Sequence, residues 1–186
     1  MSEIQYLSNP DLSFIREDVK GNAFQDGQFQ PLGTYKQPGL QDVLKWKLGS
    51  NPQKKEKKAD DFKVGLIEGT DFIEGKEDVI VWLGHACFFI RLDGVTLITD
   101  PCLHDLPTIP RLVGLPCEIE EIRGVDYILM SHGHRDHFDK ATLKKLIPKN
   151  FGVEMLAPLK MGPLIESIGM ERYQEAAWWQ EYKTDE

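Results

Sequence analysis

The chain has 186 residues, 41% of them hydrophobic and 28% charged, which is enough apolar mass for one domain with a substantial core. Its net charge of −8, from 30 acidic against 22 basic residues, argues against a general nucleic-acid binder, which presents a basic face. Three cysteines, Cys87, Cys102 and Cys117, with no close pairing argue against a disulfide scaffold and for a reducing compartment, here the cytoplasm; no run approaches the ~18 apolar residues of a transmembrane helix, and no secretory leader follows Met1.

Residues 1–60 read as a polar N-terminal extension, with Gly21, Asn22, Gly27, Pro31, Gly33, Pro38 and Gly39 scattering turn signals through it. Gln41–Leu48 is a short helix candidate: Leu40, Val43, Leu44 and Leu48 recur at helical spacing, and Gly49 supplies a stop. Trp46 is expected to anchor this piece on the main domain. The charged run from Asn51 to Asp61 is expected to be a solvated loop, with an anionic-surface patch as the rival reading.

A second unit, 61–186, carries the regular structure, and β structure is expected to begin near residue 79. Val79–Leu83 is an apolar strand, Gly84-His85-Ala86 interrupts it, and Cys87–Leu92 resumes. Asp93-Gly94 is a two-residue hairpin turn, Val95–Thr99 the returning strand, and Asp100-Pro101 its end. Residues 101–117 are proline-rich and read as a loop. Strand 127–130 follows. Asp139 caps a helix over Lys140–Ile147 whose apolar face is Leu143, Leu146 and Ile147. Val153–Ala157 is a strand and Pro163–Ile168 a helix stopped by Gly169. The aromatic tail, Tyr173 to Tyr182, is expected to be a last strand. Strands alternating with helices after a leading hairpin indicate α/β layering.

Residues 131–139 read Ser-His-Gly-His-Arg-Asp-His-Phe-Asp and hold three of the five histidines. Three imidazoles and a carboxylate on one short loop after a buried strand are costly to bury with nothing to bind. In the spacing H-x-H-x-D-H, residues two apart point the same way, so His132 and His134 can grip one cation while Asp136 and His137 address a second point. Such a pair suits two metals acting on one displacement. Imidazole with carboxylate fits zinc first, and also iron or manganese.

His132, His134, Asp136 and His137 match the signature of the metallo-β-lactamase-fold hydrolases. Trp82-Leu83-Gly84-His85-Ala86-Cys87 followed by Asp93 to Pro101 resembles the opening hairpin of the branch holding N-acyl-phosphatidylethanolamine phospholipase D-like and ascorbate-6-phosphate lactonase-like enzymes. The leader, with Phe24 to Phe29 and Asp42 to Leu48, is similar to that of the phospholipase D-like members. The resemblance implies an α/β, metallo-β-lactamase-like αββα sandwich and two divalent cations. His132 and His134 would bind the first and Asp136 and His137 the second. Asp136 would also act in catalysis by orienting a metal-activated water. Asp100 would orient a ligand histidine from behind. His85 is read as a similar supporting or pocket residue, with a core histidine as the alternative, and His104 as a plain loop residue. The implied function is a metal-dependent hydrolase, phosphodiesterase-like, acting on a small-molecule or phospholipid-like substrate. A lactonase on a sugar-phosphate-like substrate is the first rival, and a non-catalytic metal-binding or interaction module the second.

The sequence departs from the family in one respect. The family completes its site with a further histidine, a bridging aspartate and a last histidine. After His137 this sequence has no histidine, and its later aspartates are Asp139 and Asp185 alone. Trp178 to Lys183 resembles the strand preceding the family's third histidine. The expectation is therefore that the chain supplies roughly the first half of the sandwich and binds metal poorly by itself. The first reading is a fragment, or a split or shortened product, of a complete hydrolase; the alternative is a half-domain whose exposed sheet is covered by a second copy or by a separate C-terminal half.

Overall fold

The computed structural model describes residues 2–33, 38–106 and 110–184. Its centre is a six-stranded mixed sheet in chain order, from β4 (Val79–Gly84) through β5 (Cys87–Leu92), β6 (Val95–Thr99), β7 (Tyr127–Leu129) and β8 (Glu154–Pro158) to β9 (Tyr173–Ala176). The first three strands are antiparallel, and β6 to β9 run parallel. Parallel neighbours need crossovers. These are the 101–126 segment, α4 (Lys140–Leu146) and α5 (Gly162–Glu166).

Local chemistry explains the best-defined pieces. Asp93 and Gly94 both take positive φ, 49° and 82°, the mirror-image turn whose twist matches the flanking strands. Asp139 caps α4 by accepting from the backbone N–H of Ala141 and Thr142. Leu143 and Leu146 on α4 are fully buried, and with Ile119, Ile122 and Ile165 they cover one sheet face made of Cys87, Phe89, Ile98, Ile128, Met155 and Ala157. Arg91 is the cation in this layer, 7% exposed. Its guanidinium donates to the carbonyls of Glu77 and Phe72, binding the short helix α3 (Asp71–Glu74) to β5. The opposite face is open: Ile80 (65% exposed), Trp82 (53%), Leu92 and Leu129 stand out from it.

Four expectations are corrected. β structure begins well before residue 79: β1 (Gln5–Leu7), β2 (Asn22–Gln25) and β3 (Gln28–Phe29) form a three-stranded antiparallel sheet, turned at Asp26-Gly27. The charged run holds a solvated helix, α2 (Lys54–Ala59), where a loop was expected. Trp46 does not anchor α1 (Leu40–Leu48): it is 78% exposed, and no α1 residue is buried. The aromatic tail is not one long strand. β9 stops at Ala176, and residues 177–180 turn so that Gln180 pairs with Phe14. The Gln180 side chain amide then donates to the carbonyls of Asn9 and Leu12, which fixes the N-terminal segment against this end of the sheet. Residues 107–109 of the expected 101–117 loop, and Asp185, lie outside the described residues.

Candidate metal centre

β6 and β7 end side by side, Thr99 opposite Leu129, so Asp100 and Ser131 leave the sheet together at its carboxyl end. In α/β sheets this is where ligands bind. Asp100 is buried, 5% exposed, and accepts three bonds. The Ser131 N–H donates to Oδ1 at 2.7 Å, the Ser131 hydroxyl donates to Oδ2, and His137 Nδ1 lies 2.9 Å from Oδ2. With Nδ1–H given to the carboxylate, His137 keeps its lone pair on Nε2, the arrangement that orients ligand histidines.

The histidine loop turns tightly after His134, whose carbonyl accepts from the N–H groups of His137 (3.0 Å) and Phe138 (2.7 Å). Phe138 is 3% exposed and pins the turn to the core. Gly133 gives the loop room: a Cβ there would meet Leu164 Cδ2 at 3.0 Å. The rings then gather. His132 lies 4.5 Å from His134 and 4.1 Å from His137 between centroids, and the Ser131 Oγ is 2.9 Å from His132 Nδ1.

A fourth imidazole arrives from the start of the six-stranded sheet, between β4 and β5. The interruption at Gly84-His85-Ala86 is a reversal: β4 and β5 pair antiparallel across it, Gly84 opposite Cys87. Gly84 at φ 106° and His85 at φ 50° make the corner, and Trp82 Nε1 donates to the His85 carbonyl at 3.0 Å. This carries His85 to the histidine loop. Its ring lies 5.0 Å from that of His137, and its Nε2 is 3.2 Å from Asp136 Oδ2. The His85 side chain is 52% exposed, so it is not a core histidine. Asp136 Oδ2 is also 3.7 Å from His137 Nε2. Among the described residues, donor atoms of His85, Asp136 and His137 all lie within 4.8 Å of one another.

The electrostatics suit a cation. Burial, then the neighbouring His137 and His134, lower the His132 pKa and favour its neutral, ligating form. Asp136 is held below the usual carboxylate range chiefly by its own backbone N–H; desolvation opposes this, and His137 and His85 add further lowering. Thiolates are not on offer. Burial pushes Cys87 up to about 12, and burial with the Asp139 and Asp136 charges pushes Cys102 up to about 11. An imidazole and carboxylate donor set with tethered tautomers fits zinc, iron or manganese.

Ser131 was missed by sequence reasoning, although a hydroxyl directly before the first ligand candidate at a strand end was a visible signal. It joins Asp100, His132 and His137 in one network. His104 is more than a loop residue: its Nδ1 lies 3.2 Å from Asp139 Oδ2 and 3.1 Å from Thr142 Oγ1, tying the 101–117 loop to the start of α4.

Comparison with known proteins places this geometry in context. The family described as "Beta-lactamase superfamily domain" matches residues 79–185, more than half the chain. An N-acyl-phosphatidylethanolamine-hydrolyzing phospholipase D of Caenorhabditis elegans is 26% identical over 72% of this chain and 40% of its own length. The mitochondrial enzyme of that name from Saccharomyces cerevisiae is 31% identical over 53% of this chain and 22% of its own. A UPF0173 metal-dependent hydrolase of Methanopyrus kandleri is 33% identical, over 53% and 46% respectively. The chain thus spans less than half the length of these curated relatives. Among solved structures, an isothiocyanate hydrolase from Delia radicum gut bacteria aligns with a TM-score of 0.43 at 21% identity, covering 51% of this chain and 40% of that one.

Proposed function

The chain belongs to the β-lactamase superfamily domain family, and from that premise we propose that it carries the metal-binding loop of a phosphodiesterase-type hydrolase. The carrying observation is the convergence of His132, His134, Asp136 and His137 at the carboxyl end of the parallel strands, with Asp100 holding His137 from beneath. Relatives named as phospholipases D and metal-dependent hydrolases support the reaction class.

His132 and His134 would hold one divalent cation, and Asp136 and His137 a second. Bound there, the cations would supply positive charge to phosphate oxygens and lower the pKa of water toward neutrality. The remaining work is done by the chain. Asp100 and Ser131 keep the imidazoles in the tautomers that present lone pairs to the site. Asp136, held as a carboxylate, accepts a hydrogen bond from an attacking water and aims it. The substrate is a phosphodiester of phospholipid type. The open sheet face around Ile80 and Trp82 is a contact surface for a second copy or for a separate C-terminal half. The free thiols Cys87, Cys102 and Cys117 favour a reducing compartment, the cytoplasm. Among the described residues no helix is long and apolar enough to cross a membrane.

The test is hydrolysis of bis-p-nitrophenyl phosphate, a simple lactone and phospholipid vesicles by zinc-loaded protein. Phosphodiester cleavage lost in His132→Ala supports the reading. Lactone cleavage alone identifies a lactonase. Zinc binding with no turnover, even after a C-terminal half supplying the family's later ligands is restored, identifies a binding module.

A further inference from the structure

We infer that His85 is a direct ligand of the cation held by Asp136 and His137, completing a three-donor site within this chain. The inference rests on the metallohydrolase reading above but goes beyond the H-x-H-x-D-H loop, to which the family pattern confines this part of the ligand set.

Three independent features of the corner carry it. The first is distance. Around a tetrahedral cation with ligand bonds of 2.0–2.1 Å, donor atoms stand about 3.3 Å apart. The two edges meeting at Asp136 Oδ2 are 3.2 Å to His85 Nε2 and 3.7 Å to His137 Nε2, bracketing that value. The two histidine donors then face each other across at most 4.8 Å, so the half-exposed His85 side chain closes the triangle by a small swing.

The second is backbone conformation. His85 sits at φ 50°, in the left-handed region that β-carbon residues seldom occupy, directly after Gly84 at φ 106°. Trp82 Nε1 holds the His85 carbonyl, and the Arg111 guanidinium donates to the Leu83 carbonyl and packs on Gly84, where a Cβ would meet its Nη2 at 2.7 Å. Glycine or asparagine would make this corner at lower steric cost. A histidine held there from both sides is placed for its side chain.

The third is charge. Asp136 Oδ2 faces two imidazoles, those of His85 and His137. An aspartate and two histidines converging on an open rim is a donor set for a hard or borderline divalent ion. A simple His85–Asp136 ion pair explains the 3.2 Å contact but not the third edge to His137.

The experiment titrates Co(II) into the metal-stripped chain and follows the visible absorption of the coordinated ion. Wild type is compared with His85→Asn, His85→Ala and His104→Ala. His85→Asn is the decisive variant, because asparagine tolerates the left-handed corner and leaves the fold intact; circular dichroism checks this. The expected result is at least a tenfold weaker affinity and an altered spectrum for both His85 variants, with His104→Ala like wild type. Folded His85→Asn that binds Co(II) with unchanged affinity and spectrum overturns the ligand role and leaves the metallohydrolase reading standing. A wild-type chain with no detectable Co(II) binding, even of the weak kind expected of a half-site, overturns both.

Discussion

Replacing Asp100 by asparagine should weaken metal binding while leaving the fold in place. The carboxylate is 5% exposed, accepts from the Ser131 N–H at Oδ1, and receives both the Ser131 hydroxyl and His137 Nδ1 at Oδ2. Asparagine keeps Oδ1 for the Ser131 N–H. In place of Oδ2 it offers an NH2, which cannot accept from His137 Nδ1–H. The ring must then either break the bond or move its proton to Nε2, and the second course removes the lone pair that faces Asp136. Loss of such a supporting carboxylate costs ~10–100-fold in metal affinity, about 1.4–2.7 kcal/mol. Exchanging a charge-assisted bond for a neutral one costs roughly 1–2 kcal/mol of stability. At about 2–4 °C per kcal/mol for a domain of this size, the melting midpoint falls by about 2–8 °C. Isothermal titration with zinc, beside a thermal melt of the metal-free proteins, measures both. If Asp100→Asn shows the lowered melt but wild-type zinc affinity, the carboxylate is a structural strut and the argument from the His137 tautomer is wrong.

Other outcomes follow from the same structure. Asp139→Ala removes the cap that accepts from Ala141 and Thr142 and the contact to His104; a loss of about 1–2 kcal/mol is expected by urea denaturation. Gly84→Ala forces a β-carbon into φ 106° and against Arg111, costing about 1–2 kcal/mol in the same assay. Leu143→Ala empties a fully buried position under the sheet and should cost about 2–5 kcal/mol. Cys87, raised by burial from an ordinary 9.0 to about 12, should resist iodoacetamide in native protein at pH 8, where Cys117, only partly buried, reacts first. The same shift makes the Cys87 contribution to stability complete below about 9 and lost as pH rises toward 12, because the unfolded thiol ionises first; an alkaline denaturation series reads this.

What the sequence alone determined was local. The Asp93-Gly94 corner and the strands around it, the Asp139 cap with Leu143 and Leu146 behind it, and the crowding of His132, His134, Asp136 and His137 were legible because turn chemistry, periodicity and ligand spacing act within a few residues. The H-x-H-x-D-H loop also pointed to its family, and the match over residues 79–185 agrees. Tertiary structure decided everything that depended on distant pairing. The short strands β1 to β3 carry too few residues for a period to show, and they exist because Phe24 finds Phe29 and Gln180 holds Asn9 and Leu12. Trp46 looked like an anchor by size, but a side chain is buried only where a complementary surface lies, and α1 has none among the described residues. The site itself was half visible. His85 is 51 positions from Asp136, and only the reversal at Gly84 and the parallel ending of β6 and β7 bring His85, Asp100 and Ser131 to the loop. A sequence states which donors are available; backbone pairing across the sheet decides which of them share a point in space.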